Sequence, residues 1–150
     1  MATFIFGTSV VDVSDPSHPV EVVGNDANDF VNDVCVEGNR LYEAAREGLR
    51  IVDISDPRHP RRLSTTGGRE GWRVAVSGHY AYLADVGSVP IDSCLRIYDV
   101  AQPRSPTLVA TCYTPGVIFG LRIVGSHLYL VDGASELQVL DISNPAHPVS

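Results

Sequence analysis

The sequence lacks the features of a membrane protein and of a nucleic-acid-binding protein. No apolar run approaches the ~20 residues that a membrane-spanning helix needs. The formal net charge of the 150 residues is −7, and no basic stripe of the kind that contacts phosphates is present. The one dense basic cluster, at residues 58–62, is interpreted as a solvated turn. We therefore expect neither a membrane span nor a nucleic-acid partner.

Catalytic and metal-binding motifs are also missing. The sequence contains no GxSxG motif, no phosphate-binding loop and no HExxH motif. Its three cysteines include no CxxC pair and match no zinc spacing. We predict no catalytic residue, no metal ligand and no cofactor, and we favour a non-enzymatic protein over an enzyme.

Long helical segments are absent as well, because 13 glycines and 10 prolines interrupt every apolar pattern within ten residues. What the sequence has instead is a repeat. An apolar strand followed by aspartate and a proline-containing turn occurs four times, at residues 9–19, 49–60, 95–106 and 137–148. Its aspartates, Asp12, Asp53, Asp99 and Asp141, are 41, 46 and 42 residues apart. Gly38, Gly78 and Gly125 recur at intervals of 40 and 47 residues, as do Tyr42, Tyr82 and Tyr129.

A period of this length that is rich in strand signals predicts the four-stranded blade of a β-propeller. In one period the strands are predicted at residues 34–37, 41–45, 49–54 and 61–65. We predict an all-β chain of about three to three and a half blades, each of four antiparallel strands. Its segments are a half blade (1–30), a blade (31–66), a blade (71–113) with an inserted loop at 86–94, and a blade lacking most of its outer strand (117–150). The inserted loop either modifies a binding face or is a neutral length variant.

Closed propellers have about 4–8 blades, so three periods are too few for a ring. The chain is either a fragment of a longer protein or half of an oligomeric ring. We favour the fragment, because the repeats start and stop within a blade and residues 1–7 lack the basic and apolar regions of a signal peptide. In either case we expect exposed blade edges, which invite self-association.

The repeated polar residues are predicted to be structural. A site would use one or two unlike residues, whereas the four aspartates are alike and adjoin a tight turn where they can bond backbone amides. The turn histidines recur one per repeat, too far apart to share a zinc ion held at ~2 Å. These histidines are His18, His59 and His147. The acidic loop at residues 25–29 lacks EF-hand spacing and is interpreted as solvated rather than as a calcium site.

Binding residues are sought where the repeats differ. In propellers, the loops that precede strand one and those that join strands two and three share one face around the channel. Arginine and aromatic side chains on such a face are common anchors for protein partners. We predict a ligand-binding surface at Arg46, Glu47, Arg69, Glu70, Trp72, Arg73, Asp92 and Phe119. The alternative is that Trp72 and Phe119 pack between blades.

The cysteines leave one question open. Cys94 precedes strand three of its blade and Cys112 ends strand four, so the hairpin brings Cys94 opposite residue 112 or 113. Directly opposed strand residues are nearly close enough for a disulfide. A Cys94–Cys112 bridge and two free thiols are both compatible with this placement. Cys35, on an inner strand, is interpreted as a buried small hydrophobe.

The repeated segments resemble the LVIVD repeat family. The resemblance is carried by residues 49–57 (LRIVDISDP) and 81–85 (AYLAD) and extends in register over nearly the whole chain. Departures are Ala45 where Asp85 and Asp132 stand, Gln102 and Asn144 in place of the turn aspartate, and the inserted loop.

The resemblance implies a β-propeller of secreted or cell-surface proteins, with poorly defined ligands and no established catalytic motif. The function expected from it is a non-catalytic binding or scaffold module for a protein or surface ligand. The alternatives are a fragment of a propeller enzyme, a hydrolase or lyase with its site around the channel, and a purely structural domain.

Overall fold

The structure, a computed structural model, describes residues 7–23, 30–86, 93–134 and 136–150. These residues form thirteen strands and no helix. The strands are β1 (Val10–Asp12), β2 (Val20–Val23), β3 (Val31–Glu37), β4 (Arg40–Ala45), β5 (Gly48–Asp53), β6 (Arg61–Thr65), β7 (Glu70–Ser77), β8 (Tyr80–Val86), β9 (Cys94–Asp99), β10 (Thr107–Tyr113), β11 (Ile118–Val124), β12 (His127–Asp132) and β13 (Glu136–Asp141).

The strands make four antiparallel sheets in which neighbours in the chain are neighbours in the sheet. A half blade contains β1 and β2, the first blade β3 to β6, the second blade β7 to β10, and the third blade β11 to β13. A bridge between Asp141 and Val149 adds the beginning of a fourth strand to the third blade. The predicted all-β fold of propeller blades is confirmed.

Adjacent blades pack face to face through two apolar cores, with inner strand β7 lying beside both β3 and β11. We call the side of a blade toward the next blade its trailing face and the opposite side its leading face. The first core joins the trailing face of the first blade (Tyr42, Ala44, Leu49, Ile51) to the leading face of the second (Val74, Ala81, Leu83, Tyr98, Val100). The second core joins Tyr82, Ala84, Leu95 and Ile97 to Leu121, Leu128, Leu130, Leu140 and Ile142 of the third blade. Such burial supplies the main stabilisation of the fold.

The first strand of each blade starts earlier than the sequence pattern predicts. Alternation of apolar residues predicts starts at residues 34, 74 and 121, whereas the strands begin at Val31, Glu70 and Ile118. A register shift one or two residues into each strand breaks the period of two that the pattern depends on. At Gly71 a Cβ atom would lie 2.9 Å from Leu83 Cδ1 and 3.1 Å from Ala44 Cα, so glycine permits the close approach of β7 to the first blade.

The turns between strands three and four confirm the structural role of the repeated aspartates. In each repeat, Oδ1 of the aspartate accepts a hydrogen bond of 2.8–2.9 Å from the backbone amide two residues later. This hydrogen bond is the first cause of the lowered pKa of Asp12, Asp53 and Asp141. The backbone geometry of the turn is therefore what the repeated motif encodes.

The histidines belong to the same turns. His18 and His59 are exposed, and their Nδ1 atoms lie 2.9 and 2.8 Å from carboxylate oxygens of Asp15 and Asp56. In the described part of the chain, no three His, Cys, Asp or Glu side chains are grouped so that they could hold a metal ion.

Candidate binding surface

Three blades begin side by side at one end of the molecule, and polar contacts tie their first strands together. The side-chain amide of Asn32, on β3, donates to the carbonyl oxygen of Gly71 at 2.9 Å and to Oε1 of Glu70 at 3.2 Å. Asp33 Oδ2 accepts a hydrogen bond of 3.1 Å from the backbone amide of Val74. The first and second blades are thereby fixed relative to each other at this end.

Arg73 performs the same task between the second and third blades. Its Nε donates to the carbonyl oxygen of Phe119 at 2.8 Å, and its Nη1 donates to the carbonyl oxygen of Trp72, also at 2.8 Å. The guanidinium carbon lies 5.4 Å from the centroid of the Trp72 ring, within cation–π distance. Arg73 thus contacts two other predicted binding residues, Trp72 and Phe119.

Trp72 and Phe119 occupy equivalent places in their blades but differ in exposure. Trp72 is half-buried, and its indole nitrogen is inaccessible to solvent, as expected if it packs between blades. Phe119 is 53% exposed, and one edge of its ring packs on Gly133. The alternative in which both aromatics only fill space between blades therefore does not describe Phe119.

A pocket of about 370 Å³ opens beside Phe119. Its lining combines three charged side chains with aromatic and aliphatic ones: Asp33, Arg73, Phe119, Gly120, Leu121, Arg122, Tyr129 and Val131. Two guanidinium groups against one carboxylate make the pocket locally cationic in a chain whose net charge is −7. Arginine and aromatic groups in a partly enclosed site are typical anchors for a protein ligand.

Arg122 and Tyr129 also line the pocket and are not among the residues predicted from the sequence. The signal for Arg122 is its position, because the equivalent residues of the first and second blades are Cys35 and Ala75. A guanidinium in a position that is otherwise small and apolar marks a place where the third blade differs from its neighbours.

The other predicted residues that the structure describes do not line this pocket. Arg46 is exposed and stacks on the ring of Phe30, with its guanidinium carbon 5.6 Å from the ring centroid. Glu47 is also exposed, and Arg69 is half-buried. Asp92 and most of the inserted loop, like the acidic loop at 25–29, lie outside the described residues.

A second pocket, of about 290 Å³, lies between the half blade and the first blade. It contains a buried ion pair that the sequence did not reveal, in which Arg50 Nη1 donates to Glu43 Oε2 at 2.9 Å. The Thr8 hydroxyl donates to the other oxygen of Glu43 at 2.8 Å. Both carboxylate oxygens are engaged within the protein, which suits a structural group better than a general base.

In the structure the three cysteines are free thiols. The register pairs Cys94 with Tyr113 and Cys112 with Leu95. Because neighbouring strand residues point to opposite faces, the two cysteine side chains lie on opposite sides of the sheet. The buried Cys94 thiol donates to Asp85 Oδ1 at 3.0 Å. The pKa of Cys94 is raised to about 11, mainly by burial and secondly by this hydrogen bond. Such a thiol is an unreactive structural group.

Comparison with solved structures places this architecture among propeller-like proteins. The computationally designed Ika8 protein superposes with a TM-score of 0.61 and 12% identity over 79% of this chain and 35% of its own. The designed Ika4 protein superposes with a TM-score of 0.57 and 12% identity over 73% of this chain and 64% of its own. Hsv2 of Kluyveromyces lactis superposes with a TM-score of 0.57 and 12% identity over 82% of this chain and 36% of its own. The chain thus spans between about a third and two thirds of the length of these structures, and the similarity concerns the fold alone.

The curated proteins give no match to this sequence. Within the described residues, no helix has the length and apolar character needed to cross a membrane. The LVIVD repeat model matches residues 7–26, 30–64, 68–114 and 116–150, which is nearly the entire chain and follows the half blade and the three blades. The chain therefore belongs to the LVIVD-repeat family.

Proposed function

We propose that this chain is a non-catalytic binding module that recognises a protein partner with the surface around Phe119. The observation that carries the proposal is an aromatic ring, 53% exposed, held at the rim of a pocket that two arginines line. Arg73 fixes the backbone of Phe119 by its 2.8 Å hydrogen bond. A pre-positioned aromatic group loses little conformational freedom on binding, which favours affinity.

The charges of the pocket favour a partner segment that presents a carboxylate next to an apolar side chain. Asp33 already accepts a hydrogen bond from the Val74 amide, so its charge is partly compensated by the protein. The guanidinium groups of Arg73 and Arg122 are held by hydrogen bonds to backbone carbonyl oxygens, Arg73 to those of Phe119 and Trp72 and Arg122 to that of Leu121. Their positive charges line the pocket and favour a ligand anion there. Phe119 and Tyr129 supply the apolar contact beside it.

The enzyme alternative has less support. Among the described residues that line the two pockets, the most buried carboxylate is Glu43, and Arg50 and Thr8 occupy both of its oxygens. A general base needs a free oxygen within reach of a substrate proton. By family resemblance we also propose that the module acts outside the cell or at its surface.

A display library of random peptides tests the proposal. Peptides selected on the immobilised chain are synthesised, and their dissociation constants are measured for the unaltered chain and for two variants, Phe119→Ala and Arg73→Ala. We expect at least tenfold weaker binding for both, because central aromatic and arginine anchors dominate such interfaces.

Matched controls are available at the other end of the molecule. Leu108→Ala removes a side chain of similar exposure from the outer strand β10, and Arg104→Ala removes an exposed arginine from a turn. The controls should bind the peptides as the unaltered chain does. Selection of no peptide, or equal affinity for Phe119→Ala and Leu108→Ala, would contradict the proposal.

A further inference from the structure

The outer strand of the second blade, β10, has an unpaired edge although both neighbouring blades are in place. The backbone amide of Thr114, which follows β10, donates to the carbonyl oxygen of Ser93 at 3.2 Å. Backbone groups alternate in direction along a strand, so those of Cys112 also point to β9, while those of Thr111 and Tyr113 point away from it. Because β10 is the last strand of its sheet, no other strand in the described part of the chain bonds to these outward groups.

The outer strand of the first blade, β6, is better protected. Arg61 and Thr107 are equivalent, since each lies opposite the repeated aspartate, and both strands have a register shift after their second residue. Beyond the shift, β6 contains residues 64–65, whereas β10 contains residues 110–113. The first two residues of β6 are Arg61 and Arg62, and β10 has no charged residue. Short length and charged side chains discourage pairing at a strand edge, so β10 is the edge that is open to a further strand.

The side chains of β10 also favour pairing. Thr111 is exposed and Tyr113 is 75% exposed, and residues two apart share one face of a strand. Aromatic residues opposite β-branched residues stabilise antiparallel pairs. We propose that β10 pairs in antiparallel orientation with β10 of a second copy of the chain, across a two-fold axis. The two four-stranded blades then form one continuous sheet.

The occupant is a second copy because the edge of β10 is complementary to itself. When Thr111 of one copy lies opposite Tyr113 of the other, every outward amide and carbonyl group of these residues is bonded. A shift by two residues would place Tyr113 opposite Val109, at the register shift, or Thr111 opposite Pro115, which has no amide donor. The pairing also brings no like charges together, although the net charge of the chain is −7.

This register places the two Cys112 residues directly opposite each other at the axis. They form a non-hydrogen-bonded pair, in which the Cβ atoms lie ~4.5–5.5 Å apart. The thiol oxidant diamide should therefore join the copies by one S–S bond. The two thiols lose two protons and two electrons, which reduce diamide to its hydrazine. The product has twice the 16.2 kDa mass of the chain. Cys35→Ser should be joined as the unaltered chain is, and Cys112→Ser should not be joined.

Sedimentation velocity tests the pairing without a reagent. The unaltered chain and Cys112→Ser should both form dimers by about 500 µM. Thr111→Pro removes an outward amide and leaves the bonds to β9 in place, and Tyr113→Lys puts a charge on the edge. Each should weaken dimer formation at least tenfold. Gln102→Lys is the matched control, because it adds the same charge in the exposed turn before β10, and it should form dimers as the unaltered chain does.

The outcomes distinguish β10 from other surfaces. A chain that stays monomeric at 500 µM would overturn the proposal and leave the edge to a strand of another protein. Equal dimer formation by Tyr113→Lys, equal weakening in Gln102→Lys, or a disulfide through Cys35 would each contradict it too. Circular dichroism verifies folding, and the exposed Tyr113→Lys decides if Thr111→Pro fails to fold. This inference does not rest on the proposed function, which peptide affinities at monomeric concentrations test separately.

Discussion

The first and second blades each pair an arginine of the third strand with an acidic residue of the second strand, but they take this partner from different positions. In the first blade, Glu43 lies directly opposite Arg50 on the neighbouring strand, at 2.9 Å. In the second blade, the acid is Asp85, which lies two residue pairs further along the strand than the position opposite Arg96. Its Oδ2 atom is 2.6 Å from Nε of Arg96. The arginine is thus the fixed element, and a carboxylate on the same face can reach it directly or diagonally.

The neighbours of each blade explain the difference. The position of Glu43 is taken by Leu83 in the second blade, where it belongs to the core between two full blades. The corresponding face of the first blade, its leading face, is turned to the half blade, and there a pocket and the Thr8 hydroxyl accommodate a carboxylate. The arginines differ accordingly, because the Arg50 side chain is 5% exposed and the Arg96 side chain 23%.

The largest loss of stability is expected when Glu43 of the first blade is replaced by leucine, the residue that the second blade has at this position. Glu43→Leu leaves the buried Arg50 without its carboxylate partner, and removal of one member of a buried pair costs ~3–5 kcal/mol. We expect the free energy of unfolding to fall by that amount, as measured by urea denaturation followed through Trp72 fluorescence.

Two further variants identify the cause of this loss. Replacing both partners, with Glu43→Leu and Arg50→Met, should recover most of the stability, because no uncompensated charge then remains buried. Glu47→Leu makes the same chemical change at an exposed position and should alter stability by less than ~0.5 kcal/mol. A double variant as unstable as Glu43→Leu alone would show that lost packing, rather than the buried charge, is responsible.

Replacing Asp85 of the second blade by the residue of the first blade should lower the free energy of unfolding by less. Asp85→Ala installs the residue that the first blade has at this position, Ala45, and removes the partner of Arg96 and of the Cys94 thiol. Arg96 is the more exposed arginine and can regain water, so we expect a loss of about 2 kcal/mol in the same urea experiment. A larger loss than for Glu43→Leu would invert the ranking that the exposures predict.

Moving the acid within the first blade tests whether the two arrangements are interchangeable. Glu43→Leu combined with Ala45→Asp gives the first blade the residue pattern of the second, with the carboxylate diagonal to Arg50. We expect at least half of the loss caused by Glu43→Leu to be restored, or about 2 kcal/mol. The interaction energy from a double-mutant cycle measures this directly, and a value near zero would mean that Arg50 cannot reach the diagonal position.

The architecture could be predicted from the sequence because the four copies of the repeat can be compared with one another. The aspartate that follows strand three and the turn that follows it recur in all four copies, and each forms the hydrogen bond that such a turn requires. The starts of the first strands could not be found in the same way. Their register shifts interrupt the alternation of apolar residues, and no residue type alone marks a bulge.

The candidate surface was predictable only in part, for a related reason. Residues that differ between repeats pointed to Trp72, Arg73 and Phe119, and in the structure Arg73 contacts the other two. The exposure of Phe119 and the burial of Trp72 depend on how the blades pack, and an alignment of repeats does not contain that information. Glu43 was detectable as a charged residue where the other two blades have Leu83 and Leu130, but the burial of its ion pair with Arg50 was not.

Cys94 and Cys112, both in the second blade, should differ in chemical reactivity. A pKa of about 11 leaves only about one Cys94 in a thousand as thiolate at pH 8, and the side chain is buried. We expect iodoacetamide to modify Cys94 at least tenfold more slowly than Cys112 in the native chain, measured by peptide mass spectrometry. All three cysteines should react fully in urea without prior reduction, whereas protection of Cys94 and Cys112 until a reductant is added would establish a disulfide.

The smallest expected effect concerns the turns, which also differ between the two blades. The first blade has Asp56 where the second has Gln102, and the pKa of Asp56 is lowered from its ordinary 3.8 by the hydrogen bonds from His59 and from the Arg58 amide. A carboxyl group whose pKa is lower in the folded state contributes stability above its ordinary pKa, and this contribution is lost as the pH falls through the folded-state value. Asp56→Gln should therefore lower the urea midpoint at pH 6, and the difference between its midpoint and that of the unaltered chain should shrink as the pH falls below 3.8.

Gln102→Ala is the control, because it introduces no titrating group. The difference between its urea midpoint and that of the unaltered chain should not follow this pH dependence. An Asp56→Gln difference that stays constant from pH 6 to pH 2.5 would show that the turn geometry, and not the ionised carboxylate, stabilises the first blade.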